Sequence, residues 1–235
     1  MKSEDFIKLL DRYSMPVFTI GDAARLIGKP RGYASLYLSK MPGIRRIERG
    51  KYFVEGTSVY RIASHIVSPS YLTTTTAFAV YGLTTQIPIE VHVAATARHR
   101  PVEVEGNRIT FARIGKKRFF GYIYRNGVSI ATVEKSIIDA LFLGVGFGEV
   151  IDAASKALKM RKLSVQKLEE FTIMFGSKAL ASKIGFMLEF CGAESSALVR
   201  YRSKNPVMLS AGAEHYDKKW HVLYDERLLS KEVLA

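Results

Sequence analysis

The feature that most restricts this fold is the punctuation between residues 19 and 54. Thr19 and Asp22 are spaced as a capping box, in which hydroxyl and carboxylate satisfy unpaired N–H groups at a helix start. Gly28 ends the short helix predicted over residues 23–27, and Pro30 sits where another begins, since its missing N–H costs nothing there. Ala24 and Gly28 are small enough for two helices to cross closely around the turn. The next helix, predicted over residues 31–41, turns Ala34, Tyr37, Leu38 and Met41 toward a core at 100° per residue. Its other side carries Arg31, Gly32, Ser35, Leu36 and Ser39. After Pro42-Gly43, the stretch RRIERGKYFV (45–54) suits two short strands turning at Arg49-Gly50. An amphipathic helix over residues 3–13, with Phe6, Ile7, Leu9 and Leu10, precedes all of this. The order helix, helix, turn, helix and basic hairpin is that of a winged helix-turn-helix.

Such a unit lays its second paired helix in the major groove and its hairpin on flanking phosphates. The expected DNA contacts are therefore Lys29 and Arg31 at the helix start, Gly32, Ser35 and Ser39 toward base edges, and Arg45, Arg46, Arg49 and Lys51 on phosphate. Leu36 suits either a thymine methyl or half-burial. A formal net charge of +13 agrees with a polyanionic partner. Its placement says more: residues 29–51 hold seven Lys/Arg against Glu48 alone, and residues 98–125 hold eight against Glu103 and Glu105. A winged helix used for protein contacts is the rival reading of the same residues.

Apolar runs fall short of the roughly 18 residues that span a bilayer, so no membrane partner is expected. The start, MKSEDFIKLL, carries acids where a signal peptide needs bare positive charge, and a cytoplasmic protein is expected. One cysteine, Cys191, excludes an internal disulfide framework and a cysteine-built zinc site.

The expected fold class is α+β: a winged helix-turn-helix over residues 1–56, a linker over 57–69 with room for a helical turn or two at residues 60–67, and a mixed α/β domain over 70–235 with antiparallel hairpins and a helical C-terminal part. Residues 70–83 read as a helix whose Thr run is solvated or capping, closed by Gly82. Ile89, Val91 and Val93 alternate as a strand. VEVEGNRITF encodes a hairpin at Gly106-Asn107, setting Glu105 opposite Arg108 and Val104 opposite Ile109, and residues 120–130 form another at Asn126-Gly127. Helices are expected over residues 132–143, 147–160, 164–175, 178–190 and 194–202, then strands over 206–210 and 219–224. Glu134, Lys135 and Asp139 read as a capped helix carrying a surface pair.

The order and spacing of RGKYFV, AFAVYGL, ATVEKSIIDAL, KIGFMLEFCG and KKWHVLYD resemble the AbiEi family, the antitoxins and transcriptional regulators of AbiE toxin–antitoxin systems. The resemblance spans nearly the whole chain. It implies a repressor that binds an operator upstream of its own gene pair, and a second domain that counters a nucleotidyltransferase-like toxin. DNA contact carries over to residues 31–39 and 45–51 only.

Two rival functions are open to a basic winged helix. A metal-dependent nuclease needs an acid followed by Asp/Glu-x-Lys, and Asp217-Lys218-Lys219 is the one match to the second part. His215, Asp217 and His221 could converge on a metal, although lone histidines near strands are more often ordinary polar residues. An RNA-binding protein would use the second basic block, with Phe119, Phe120, Tyr122 and Tyr124 stacking on bases, but strand alternation turns only one set outward. Cys191 beside Phe190 reads as packing, and GVGFGE (144–149) as a helix–helix connection. The expectation is a protein that is not an enzyme, has no cofactor and binds double-stranded DNA.

Overall fold

The computed structural model describes residues 2–86, 88–210 and 212–229. The architecture is α+β and divides into two compact units that exchange the chain several times. One holds residues 1–72, 89–113 and 124–129, the other residues 73–88, 114–123 and 130–235. Among the described residues no helix is long and apolar enough to cross a membrane.

The first unit opens with α1 (Ser3–Arg12), β1 (Val17–Thr19), α2 (Ile20–Ile27), α3 (Arg31–Ser39), β2 (Ile44–Glu48) and β3 (Lys51–Val54). The capping box forms: Asp22 N donates to Thr19 Oγ1 at 3.2 Å, and Thr19 N donates to Asp22 Oδ2 at 2.8 Å. Gly28 adopts the left-handed conformation (φ 67°) that stops α2, which a side chain would resist. Phe6, Leu10, Phe18, Ala23, Ala34, Leu38 and Met41 close a common core. Each large apolar side chain buried there contributes about 1.5–3 kcal/mol. β3 lies between β1 and β2, antiparallel to both, with Phe53 opposite Val17 and Arg45.

Within the expected linker over residues 57–69, the helical turn or two allowed there becomes a full helix, α4 (Val59–Ile66), burying Ile62, Ala63, Ser64 and Ile66. Ser58 caps it by accepting from Arg61 N at 3.3 Å. Residues 70–72 are not helical: β4 (Ser70–Leu72) is buried at every position, and α5 (Thr74–Tyr81) starts only after it. Tyr71 and Leu72, consecutive and both fully buried, fit a strand covered on both faces, which helical periodicity cannot reveal.

β4 belongs to a six-stranded sheet with β5 (Glu90–Ala95), β6 (Val102–Val104), β7 (Asn107–Arg113), β8 (Tyr122–Arg125) and β9 (Val128–Ala131), in the order β6-β7-β5-β4-β9-β8. β5 and β7 run parallel, whereas β6–β7 and β4–β5 are antiparallel. The first hairpin turns at Glu105-Gly106 rather than Gly106-Asn107, so Glu103 faces Arg108 and Val102 faces Ile109. Glu105 and Gly106 both take positive φ, as a type I′ turn demands, while Asn107 Nδ2 donates back to Glu105 O at 3.1 Å. The shift moves pairing by two residues, so the apolar and charged faces keep their sides. The second hairpin turns at Asn126-Gly127 as expected.

The second unit packs α5, α6 (Val133–Leu143), α7 (Phe147–Lys159), α8 (Val165–Phe175) and α9 (Lys178–Phe190) about one core. The helix expected over residues 194–202 is only a 3-10 turn, Ala197–Tyr201. A small sheet follows, β10 (Val207–Met208), β11 (His215–Asp217) and β12 (Val222–Tyr224), with β12 central; β11 lies outside the two strands expected from sequence. Trp220 is fully buried against α9. A Cβ on Gly185 would lie 2.1 Å from its ring, so only glycine admits the indole at that point.

Lys135 and Asp139 are not a surface pair. Both have no exposure, the ammonium is bonded to the carboxylate one turn away, and Thr73 Oγ1 donates to Asp139 Oδ2 at 2.8 Å. The Thr run is correspondingly buried at Thr73, Thr74 and Thr76 rather than solvated. Glu134 is also buried, accepting from Ser164 N at 3.2 Å and pairing with Lys167 at 3.2 Å.

Candidate nucleic-acid interface

The first turn of α3 follows Pro30, and the core contacts of Ala34 and Leu38 fix how the helix is rotated. With those residues inside, Gly32, Tyr33, Leu36, Ser39 and Lys40 are exposed, and Ser35 is only half-exposed. Ser39 Oγ donates to Leu36 O at 2.9 Å, so its hydroxyl caps its own helix. Arg31 is exposed but folded back: a Cβ on Gly21 would sit 3.5 Å from its Nη2. It lines a shallow hollow at the α2–α3 turn together with Thr19, Arg25, Gly28 and Lys29. Lys29 and Arg31 are therefore brought together with Arg25, a cation that sequence reasoning left out. Arg25 is ion-paired with Asp22, whose carboxyl is pushed up by burial but held below its usual range by hydrogen bonds from Thr19 and Arg25 and by the arginine charge.

Tyr33 and Lys40 were also missed. At 100° per residue both flank the core stripe, so the sequence pattern left their exposure open. Tyr33 stacks on Tyr37, ring centroids 6.3 Å apart and planes 14° apart. Burial raises the Tyr37 phenol, and the nearby Tyr33 and Asp5 add to that.

The β2–β3 hairpin turns through Gly50 (φ 81°), and a bulge between Arg46 and Glu48 breaks the alternation. Arg46 and Arg49 are exposed, and Arg46 Nε donates to Glu48 O at 3.1 Å. Arg45 is exposed as well, but Glu55 holds its guanidinium at 2.6 Å and keeps it protonated to higher pH. Lys51 does not join the arginines as a phosphate contact. It is half-buried, donates to Ile66 O at 2.8 Å and pairs with Glu48 at 3.0 Å, because its place opposite Thr19 on β3 turns it toward the end of α4. Glu48 further accepts from His99 Nε2 at 3.1 Å and lies 3.8 Å from Arg100. Burial pushes the Glu48 carboxyl up, but hydrogen bonds from Lys51 and His99 and their charges outweigh it and hold the group below its ordinary value.

The second basic block is divided between the two units: residues 98–113 and 124–125 belong to the first and 114–123 to the second. Arg108 pairs with Glu90 at 3.3 Å. Arg118 lies over the Phe142 and Phe175 rings at 5.0 and 4.6 Å. The alternation expected to turn only one set of side chains outward does not hold, because β8 is an edge strand exposed at all four positions.

Asp217 Oδ1 accepts from Trp220 N at 2.6 Å, and Lys219 pairs with Glu189, so the Asp-Lys-Lys sequence braces the turn that carries Trp220. His221 Nδ1 sits 2.8 Å from Ser203 O, while His215 lies against Tyr224. Among the described residues no three His, Cys, Asp or Glu groups converge as metal ligands. The Cys191 thiol is pushed up to about 11 by burial and by Asp152, which leaves it protonated near neutrality.

Comparison of the sequence with protein families and with curated proteins finds no match. Among solved structures, the crystal structure of the RV2827C protein from Mycobacterium tuberculosis resembles the chain with a TM-score of 0.63 at 14% identity, covering 95% of this chain and 91% of that one. At that identity the likeness speaks for the fold, and function must be argued from the site.

Proposed function

We propose that the chain is a sequence-specific repressor of double-stranded DNA whose first 56 residues act as a winged helix-turn-helix. By its resemblance to the AbiEi family, it serves as the antitoxin of a nucleotidyltransferase-like toxin and represses its own operon. The observation that carries the DNA reading is an exposed α3 in the same compact unit as a hairpin presenting Arg46 and Arg49, with strand order β1-β3-β2. The hollow lined by Arg25, Lys29 and Arg31 suits one more phosphate.

Counterion release supplies the test. The slope of log K against log salt should flatten by about two phosphate equivalents in Arg46→Ala/Arg49→Ala. Glu55→Ala, which releases Arg45, should steepen it by up to about one. Unchanged slopes in both would remove the hairpin from the interface. If the chain fails to relieve growth arrest caused by a nucleotidyltransferase encoded beside it, the antitoxin half falls. The exposed Tyr122, Ile123, Tyr124 and Arg125 of β8 favour a second reading, single-stranded RNA binding. Tighter binding of RNA than of duplex DNA in the same titration would promote it.

A further inference from the structure

Resting on the DNA reading above, we propose that α3 recognises the C5-methyl groups of thymines in the major groove rather than the hydrogen-bonding edges of guanine or adenine. Guanine and adenine are read chiefly by Arg, Lys, Asn and Gln, whereas the thymine methyl is the one apolar feature that a base pair presents in that groove. Along Arg31–Ser39 the one charged donor is Arg31, and it lies against Gly21 at the start of α2. Ser39 caps its own helix and Ser35 is half-exposed.

The large uncharged side chains that α3 turns outward are Leu36, 58% exposed, and Tyr33, 51% exposed. Both line a groove of about 360 Å³ with Tyr37, Lys40 and Pro42. Stacking on Tyr37 holds the Tyr33 ring in place. A Cβ added at Gly32 would meet nothing within 4 Å, so the helix is bare beside Leu36 and a base edge can come close. Charge selects the occupant. Lys29, Lys40, Arg46 and Arg49 are exposed in the same unit, and the chain carries +13 overall, which suits a polyanion bearing methyl groups.

The experiment is selection from random duplexes, followed by titration of the recovered site made with either thymine or deoxyuridine. The two duplexes keep the same hydrogen-bonding edges and differ by the methyl. Deoxyuridine should weaken binding roughly three- to fivefold for each methyl covered. Leu36→Ala, a change at an exposed position, should shrink that difference toward none. Equal affinity for the two duplexes with the unaltered protein would overturn the proposal while leaving DNA binding intact. Absence of binding to any duplex would overturn the DNA reading itself, a separate result. Self-association in sedimentation that Leu36→Ala abolishes, together with equal affinity for the two duplexes, would assign the patch to a second copy of the chain and also overturn the proposal.

Discussion

Lys135 and Asp139 lie one turn apart on α6 with no exposure, and their charges exist inside the protein only because each answers the other. Burial pushes the Lys135 ammonium toward deprotonation, the Asp139 carboxylate opposes that, and Arg118 reinforces it. The Phe120 and Phe175 rings, each 5.3 Å from Nζ, add faces that favour a cation. Removing one partner strands the other. Asp139→Asn should therefore cost roughly 3–5 kcal/mol in a urea titration, and Lys135→Met/Asp139→Leu should recover most of it. If the single and double variants were equally unstable, the pair would not be the source of the loss. In sequence these residues read as an i, i+4 surface pair, a pattern shared by solvated helices. Only the aromatic roof and Thr73, far away in the chain, distinguish the two cases.

At the scale of the element, the β2–β3 hairpin is held at Glu48 as much as by its ladder. Lys51, His99 and Arg100 all face that carboxylate, and Lys51 also reaches the end of α4. Because the Glu48 carboxyl is held below its ordinary value, the stability it contributes is present above the usual carboxylate range. It is lost as pH falls through the lowered folded value. Glu48→Gln should thus flatten the decline in urea midpoint as pH falls below about 5. An acid limb identical to that of the unaltered protein would show that the carboxylate does not anchor the hairpin. The strands and turn of this element were legible from Ile44, Tyr52, Val54 and Gly50. Its anchor was not, since His99 lies 51 residues from Glu48.

For the whole molecule, the two units cannot be parted by one cut, because residues 73–88 and 114–123 leave the first unit and the chain returns to it. A fragment of residues 1–56 keeps the core around Phe6, Phe18 and Leu38 but loses Ile66 and His99 as partners for Lys51 and Glu48. It should melt at lower temperature than the same region of the full chain, as expected of a unit that size. A fragment beginning at Thr73 lacks β4, which lies between β5 and β9, and should be poorly soluble because two strand edges lose their partner. A soluble fragment with native near-ultraviolet dichroism would refute this.

Local chemistry was enough to determine the opening helices, the turn at Gly28, the basic hairpin and most of α6 to α9. Caps, glycines and apolar periodicity act within a few residues, so they can be read in order along the chain. Tertiary structure alone decided that residues 70–72 form a buried strand, that β5 pairs parallel with β7, and that Lys51 points inward. Each of those outcomes depends on what a residue meets far along the chain, where burial and pairing outweigh local preference.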